Sequence, residues 1–201
     1  MTQIVLASSN SGKLQEFSQL LSPLGFTLMP QSEFGVPDAD ETGLSFVENA
    51  IIKARHASEI TGLPALADDS GLEIDALHGA PGIYSSRYAG ANATDTDNIA
   101  KVLDALRDVP TTERSARYQC ILVFMRHAKD PTPLICQGSW QGQILTEPAG
   151  DGGFGYDPIF RVAETDCSAA ELSNEQKHAV SHRGKAMRQF LEAFQYVRHL
   201  P

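Results

Sequence analysis

The chain has 201 residues, with 16 Lys and Arg against 25 Asp and Glu, and carries a formal charge of −9. That length is ample for a full hydrophobic core, and a composition 42% hydrophobic and 20% charged excludes wholesale disorder. Residues 1–100 hold 4 basic and 13 acidic residues and so carry all the net charge, while residues 101–201 hold 12 of each; a broad basic surface for nucleic acid is excluded, and any phosphate must be held locally.

Ile4 to Ala7 is a short apolar run, and the start of the chain reads as a first strand rather than a signal peptide. The polar turn Ser8-Ser9-Asn10-Ser11-Gly12-Lys13 follows, and then Leu14, Phe17, Leu20 and Leu21 recur at helical spacing. Strand, polar turn and helix make an α/β opening in which a helix N-terminus faces whatever lies above the strand. Phe26 to Met29 reads as a second strand, and an acidic loop with Gly and Pro runs from Pro30 to Gly43. Leu44 to Ile60 reads as a long helix, with Phe46, Val47, Ala50, Ile51, Ala54 and Ala57 on one face. Pro64 to Ala67 is a short strand ending in Asp68-Asp69-Ser70-Gly71, after which Leu72 to Ile74 resumes a strand pattern.

Gly79 to Gly90 reads as an irregular loop and Asp95 to Leu106 as a helix. Tyr118 to Phe124 and Leu134 to Leu145 read as long paired strands joined through the Asp130-Pro131 turn. Pro148 to Gly155 is glycine-rich, and Ala169 to Gln176 and Gly184 to Val197 read as helices flanking the basic segment Lys177 to Arg183. Cys120, Cys136 and Cys167 are odd in number and outside any C-x-x-C pair, which disfavours a disulfide framework or a zinc ribbon and points to a reducing compartment. Cys120 and Cys136 lie in strand-like runs and read as small buried hydrophobes. The longest apolar run, Cys120 to Met125, is too short to cross a bilayer, so a cytoplasmic protein with no membrane partner is expected. With no repeat and no linker, the expectation is one α/β domain over residues 1–201, of two lobes with a cleft.

Four segments carry chemistry. The turn Ser8 to Lys13 invites comparison with the P-loop, but Ala7 stands where that motif needs Gly, and Leu14 where it needs Ser or Thr; a Walker-type site is rejected. Hydroxyls and backbone N–H groups at a helix start, with one lysine, still suit a phosphate. The same residues also make a plain capped helix with a solvated lysine. Adjacent carboxylates on a strand point to opposite sides, so one of Asp68 and Asp69 faces a given site. If Asp69 does, it ligates Mg²⁺ or takes a proton from water, with Asp38, Asp40 and Glu41 available as further oxygen ligands; a solvated strand end is the plain alternative. In Gly152-Gly153-Phe154-Gly155-Tyr156-Asp157, glycines leave the Phe154 face uncovered for stacking on a base, with Asp157 near enough to accept from ring N–H groups; a glycine-rich turn with Phe154 in the core is the alternative. Finally, residues 177–201 hold five Lys and Arg against one Glu. The donors Lys177, His182 and Arg183 suit a keto oxygen on a purine and meet an adenine amino group donor against donor, unless they simply form a solvated helix start. His56, His78, His127 and His199 stand alone and read as surface or packing residues.

In this order and spacing the segments SSNSGK (8–13), DETGLSFVENAIIKA (40–54), ADDSGLEIDALHGAPGIYSSRYAG (67–90), GGFGYDPIF (152–160) and AELSNEQKHAVSHRGKA (170–186) resemble the inosine triphosphate pyrophosphatase family, most closely its bacterial form. The resemblance covers essentially the whole chain. It implies an elongated mixed β-sheet flanked by helices, with two lobes and a central nucleotide cleft. It also implies a Mg²⁺-dependent hydrolase that cuts ITP, dITP and XTP between the α- and β-phosphates, releasing the monophosphate and pyrophosphate and keeping deaminated purines out of DNA and RNA. Homodimers are typical of the family.

Carried over by position, Ser8, Ser9, Asn10, Ser11, Gly12 and Lys13 would embrace the triphosphate, with Lys53 helping Lys13 to neutralise it. Asp69 would be the catalytic carboxylate, with Ser70 beside it, and Asp69, Asp40 and Glu41 would hold the metal. The family's first metal-loop acid is often Glu where this chain has Asp40-Glu41. Phe154 would stack on the base, Asp157, Lys177, His182 and Arg183 would read its edge, and Gly155 and Tyr156 would complete the binding segment. Val162 stands where many relatives have proline. A Maf-type hydrolase of modified pyrimidine nucleotides shares the strand and polar turn but leaves Ser181-His182-Arg183 and GGFGYDPIF unexplained. A regulator that senses ITP without cleaving it leaves Asp69 beside an acidic loop unexplained.

Overall fold

The computed structural model describes residues 2–22 and 26–197. Six strands, β1 (Thr2–Leu6), β2 (Phe26–Pro30), β3 (Ala65–Ile74), β4 (Ser115–Met125), β5 (Leu134–Ile144) and β6 (Phe160–Val162), form one sheet in the order β2-β1-β3-β4-β5-β6. β1 runs parallel to β2 and β3, while β5 and β6 are antiparallel, so the sheet is mixed. Its helices are α1 (Ser11–Leu21), α2 (Phe46–Thr61), α3 (Asp95–Ala105), α4 (Asn174–Val180) and α5 (His182–Val197). The α/β class with a mixed, helix-flanked sheet is as expected.

The chain forms two compact units: Met1–Asp69, Ile121–Gln137 and Ala186–Pro201 in the first, Ser70–Cys120 and Gly138–Lys185 in the second. In the first, α2 lays Ala50, Ala54 and Ala57 against Val5, Ala65, Ala67, Ile121 and Val123, with Phe46, Val47 and Ile51 packed at the margin. These are the six residues whose spacing marked the helix face. Three alanines on that face let the helix axis approach the strands closely. Ser45 caps the helix by accepting the Glu48 N–H, so the helix starts at Phe46 rather than Leu44. In α1, Phe17 and Leu21 are fully buried as their spacing required; the Leu20 side chain lies outside the described residues, as does His199.

The second unit packs Leu72, Ile74, Val102, Leu106, Tyr118, Trp140, Ile144, Tyr156 and Phe160 into one cluster. Each fully buried apolar side chain such as Leu72 or Phe160 contributes about 1.5–3 kcal/mol. Cys120 and Cys136 are buried and in no disulfide bond, and Cys167 is half-buried.

Several boundaries differ from the sequence reading. β3 runs unbroken through Asp68-Asp69-Ser70-Gly71, because both carboxylates find lysine partners and need not reach solvent. The acidic loop contains a 3₁₀ turn at Gln31–Phe34, and the irregular loop another at Gly82–Arg87. The helix expected over Ala169 to Gln176 is split. Ser173 and Gln176 form a reciprocal cap that starts α4 afresh and draws Lys177 and His178 into a helix. The three-residue β6 has no signal in the sequence; it adds an edge strand beside β5, pairing Ile144 with Phe160. No helix among the described residues is long and apolar enough to cross a membrane.

Candidate active site

In the first unit the polar turn after β1 is a capped helix start. The Asn10 side chain accepts the Lys13 N–H at 3.0 Å, and Ser8 Oγ accepts the Asn10 N–H at 3.2 Å. Ser9 Oγ donates to Asp38 Oδ2 at 3.1 Å, and Gln31 Nε2 donates to Asp38 Oδ1 at 2.6 Å. Asp38 therefore braces the turn. The first turn of α1, with Ser11, Gly12 and Lys13, holds no acidic residue, so its N–H groups and positive dipole end have no anionic side chain of their own. The Ser11 side chain lies outside the described residues.

Lys13 forms an ion pair with Asp68, which is fully buried. Lys53, one turn after Asn49 on α2, lies 2.6 Å from Asp69 Oδ1 and 3.1 Å from Glu41 Oε1. Two of the four basic residues of the acidic half of the chain thus stand among three of its carboxylates. Asp69 Oδ2 is buried and has no hydrogen-bond partner among the described residues. Burial raises the Asp69 carboxyl above the ordinary range; Lys53 opposes this, and the neighbouring charges of Glu41 and Asp68 reinforce it. Burial also works to lower Lys53, but the attraction of Asp69, Glu41 and Asp68 outweighs it and holds the ammonium above its usual value.

Glu41 reaches this place because the loop before α2 lies flat on the helix. The Gly43 N–H donates to Asn49 Oδ1 at 2.8 Å, and a Cβ at residue 43 would come within 2.5 Å of Glu48 Cβ and 2.7 Å of Asn49 Oδ1. Only glycine permits that approach. Asp40 is exposed, and its carbonyl accepts the Thr42 N–H. Of the two neighbouring acids it is Glu41 that is brought to Lys53 and Asp69. Among the described residues no three His, Cys, Asp or Glu are arranged as metal ligands. Asp69 and Glu41 nonetheless offer only oxygen donors, and the buried Asp69 Oδ2, without a hydrogen-bond partner among the described residues, fits a hard divalent cation. Ser70, half-buried, is the next residue along β3.

In the second unit Asp157 is 3% exposed and lies at the centre of a tight network. Its Oδ2 accepts the Phe154 N–H at 2.8 Å and Lys177 Nζ at 2.6 Å, and its Oδ1 accepts the Tyr118 hydroxyl at 3.3 Å. Gly153 lies so close that a Cβ there would sit 2.2 Å from Asp157 Oδ2. The Gly155 N–H donates to Asp95 Oδ2 at 2.7 Å, which ties the Phe154 segment to the start of α3. Lys177 Nζ and Arg183 Cζ stand 4.8 Å and 5.0 Å from the Phe154 ring centroid, both in cation–π range. His182 stacks on Tyr118, with centroids 4.7 Å apart and planes 9° apart. Tyr156 is part of the core, its hydroxyl donating to the Ser85 carbonyl at 2.7 Å.

The structure thus gathers Lys13, Lys53, Asp69 and Glu41 in the first unit, and Phe154, Asp157, Lys177, His182 and Arg183 in the second. Sequence reasoning missed Tyr118 and Asp95. Tyr118 reads as one more apolar strand residue, and Thr94-x-x-Asp97 signals only a helix cap around Asp95.

Comparison with known proteins agrees over the same length of chain. The dITP/XTP pyrophosphatase of Vibrio cholerae is 59% identical over 198 residues, covering 98% of this chain and 99% of that protein. The protein of that name from Shewanella oneidensis is 61% identical over 195 residues, covering 97% and 95%. Among solved structures, a HAM1 protein from Coxiella burnetii superposes with a TM-score of 0.91 at 56% identity over 98% of this chain and 100% of that one. The Staphylococcus aureus Ham1 protein superposes with a TM-score of 0.85 at 40% identity, over 98% and 100%. Residues 4–193, which take in both clusters, match the Ham1 family, and the chain belongs to it.

Proposed function

We propose that the protein is a nucleoside triphosphate pyrophosphatase that hydrolyses ITP, dITP and XTP to the monophosphate and pyrophosphate, removing deaminated purines from the nucleotide pool. The observation that carries this reading is the buried Asp69, held by Lys53 through one oxygen while the other has no partner among the described residues. Relatives named dITP/XTP pyrophosphatase at about 60% identity support the substrate class.

The triphosphate is taken by the N–H groups at the start of α1 and by Lys13 and Lys53, whose charges offset the repulsion that a polyanion presents to a nucleophile. Asp69 Oδ2 orients a water and takes its proton as the water oxygen bonds to phosphorus and the α–β anhydride bond breaks, the electron pair leaving with pyrophosphate. A carboxyl raised above its ordinary range by burial is a better base for that step than a solvated aspartate. Asp69 and Glu41 are the carboxylates that would hold Mg²⁺, which when bound supplies charge neutralisation and acidifies water. In the second unit Phe154 stacks on the base, while Lys177, His182 and Arg183 donate to the 6-keto edge. The amino group of adenine sets hydrogens against those donors, which is the costly kind of mismatch. The reading also takes the protein to act as a homodimer in the cytoplasm, on the strength of the family resemblance.

The test is a nucleotide panel with Mg²⁺, in which ITP, dITP and XTP are turned over with release of pyrophosphate, and ATP far more slowly. Orthophosphate as the product would reject the reaction; equal rates with ATP would reject the base reading.

A further inference from the structure

The base-reading groups of the second unit are charged or polar, yet Lys177, His182 and Arg183 are all more than nine-tenths buried. Long cationic side chains carry rotamer freedom that must be removed before they can discriminate one base from another. The groups that hold them include Asp157 on Lys177, and Trp140 and Tyr118 on His182; of these Tyr118 reaches both.

Tyr118, on β4, meets the cluster in two ways. Its ring lies parallel to the His182 imidazole at 4.7 Å, and its hydroxyl donates to Asp157 Oδ1 at 3.3 Å. Asp157 in turn holds Lys177 Nζ and the Phe154 N–H through its other oxygen. The Tyr118 ring is itself clamped by Phe160, 4.6 Å away, and by Trp140, 6.2 Å away. A stacked partner fixes the plane of an imidazole, and a carboxylate with both oxygens engaged fixes the ammonium bound to it. Burial first, then the charge of Asp157, holds the Tyr118 hydroxyl well above the ordinary phenol range, so it stays a proton donor wherever the protein works.

We infer that Tyr118 is a positioning residue for purine discrimination, setting His182 by stacking and the Asp157–Lys177 pair by its hydroxyl. The inference deepens the base reading above and rests on it. Tyr118 touches no reacting atom, and its effect is on which base is accepted rather than on the hydrolytic step.

The experiment compares Tyr118→Leu, which removes both contacts, with Tyr118→Phe, which keeps the stack, measuring kcat/KM for ITP and ATP by pyrophosphate release with Mg²⁺. In Tyr118→Leu the ITP-to-ATP ratio falls about 10- to 100-fold, chiefly through KM for ITP, while kcat at saturating ITP stays within about threefold. In Tyr118→Phe, which loses only the hydroxyl contact, the ratio falls by a smaller factor, about three- to tenfold. Equal losses for the two nucleotides, or an unchanged ratio, would overturn the inference. A wild-type protein with no preference for ITP would remove the base reading and this inference with it; a wild type that prefers ITP beside a Leu variant that still does removes the inference alone. If Tyr118→Leu does not fold, the wild-type proton spectrum decides. The His182 Cε1–H resonance, identified by its loss in His182→Gln, is shifted upfield chiefly by the tyrosine ring at 4.7 Å, with the Trp140 ring 6.2 Å away adding to it, and a resonance at the usual imidazole position overturns the stack.

Discussion

Asp69 and Asp157 are buried to a similar degree, 7% and 3% exposed, and each lies 2.6 Å from a lysine Nζ. Their remaining oxygens differ. Asp157 also accepts the Phe154 N–H and the Tyr118 hydroxyl, so every oxygen is engaged within the unit. Asp69 gives one oxygen to Lys53, and its other, equally buried, has no hydrogen-bond partner among the described residues. Lys53 also has a second anion, Glu41, at 3.1 Å. A buried carboxylate that is fully satisfied fixes the geometry of its neighbours; one left partly unsatisfied at a desolvation cost retains capacity for something not supplied by the protein. On the proposed reading, the same residue pair serves as scaffold in one unit and as chemistry in the other.

The largest effect that separates them is on turnover. Asp69→Asn lowers kcat by about 10³-fold for ITP and ATP alike, leaving their ratio unchanged, as loss of a proton acceptor should. Its effect on folding is small. Because the folded carboxyl is raised above its ordinary value of 3.8, the folded state binds that proton more tightly than the unfolded chain; the ionised group costs stability at neutral pH, and the cost is relieved as pH falls through the raised value. Urea unfolding of Asp69→Asn at pH 7 therefore shows a change within about 1 kcal/mol, neutral or stabilising. A loss well beyond that would place Asp69 with Asp157 as scaffold.

Asp157→Asn sharpens the comparison from the other side. It leaves Lys177 buried without its counter-charge and loosens the Phe154 backbone, a loss of about 3–5 kcal/mol in urea unfolding. Lys53 in Asp69→Asn keeps Glu41 and is spared that penalty. If Asp157→Asn unfolds like wild type while its selectivity collapses, Asp157 contacts the base directly and the contrast drawn here fails.

This contrast is what sequence could not supply. The six-residue apolar face of α2, the capped turn at Asn10 and the strands flanking Asp130 are local patterns, and local patterns fix elements. The run Asp68-Asp69-Ser70-Gly71 read as the end of a strand because two carboxylates in a strand interior are costly unless paired, and the pairing residues lie 55 and 16 positions away, at Lys13 and Lys53. In the same way the place of Asp157 after GGFGY suits a base reader, while its partners Tyr118 and Lys177, which no local pattern shows, lie 39 and 20 residues off. Residue types named the chemistry of both clusters; which carboxylate keeps an unengaged oxygen depends on long-range partners.

The smallest predicted effect sets a baseline for a carboxylate that has neither role. Asp130, at the turn between β4 and β5, accepts the Arg126 and Thr132 backbone N–H groups and the Arg126 guanidinium. The Arg126 hydrogen bonds hold its carboxyl well below the usual range, with burial opposing. A depressed carboxyl contributes stability that is fully present above the unfolded value near 3.8 and is lost as pH falls through the folded one. Asp130→Asn should lower Tm by about 3 °C at pH 7, a gap that narrows steadily below about pH 4 as Asp130 of the unfolded wild-type chain takes up its proton ahead of the folded one. Its kcat/KM for ITP stays within about twofold of wild type, since nothing in that turn touches either cluster. A gap that widens on acidification would mean that the turn is held by something other than ionised Asp130, and an altered ITP-to-ATP ratio would mean that selectivity answers to any buried carboxylate rather than to the network around Asp157.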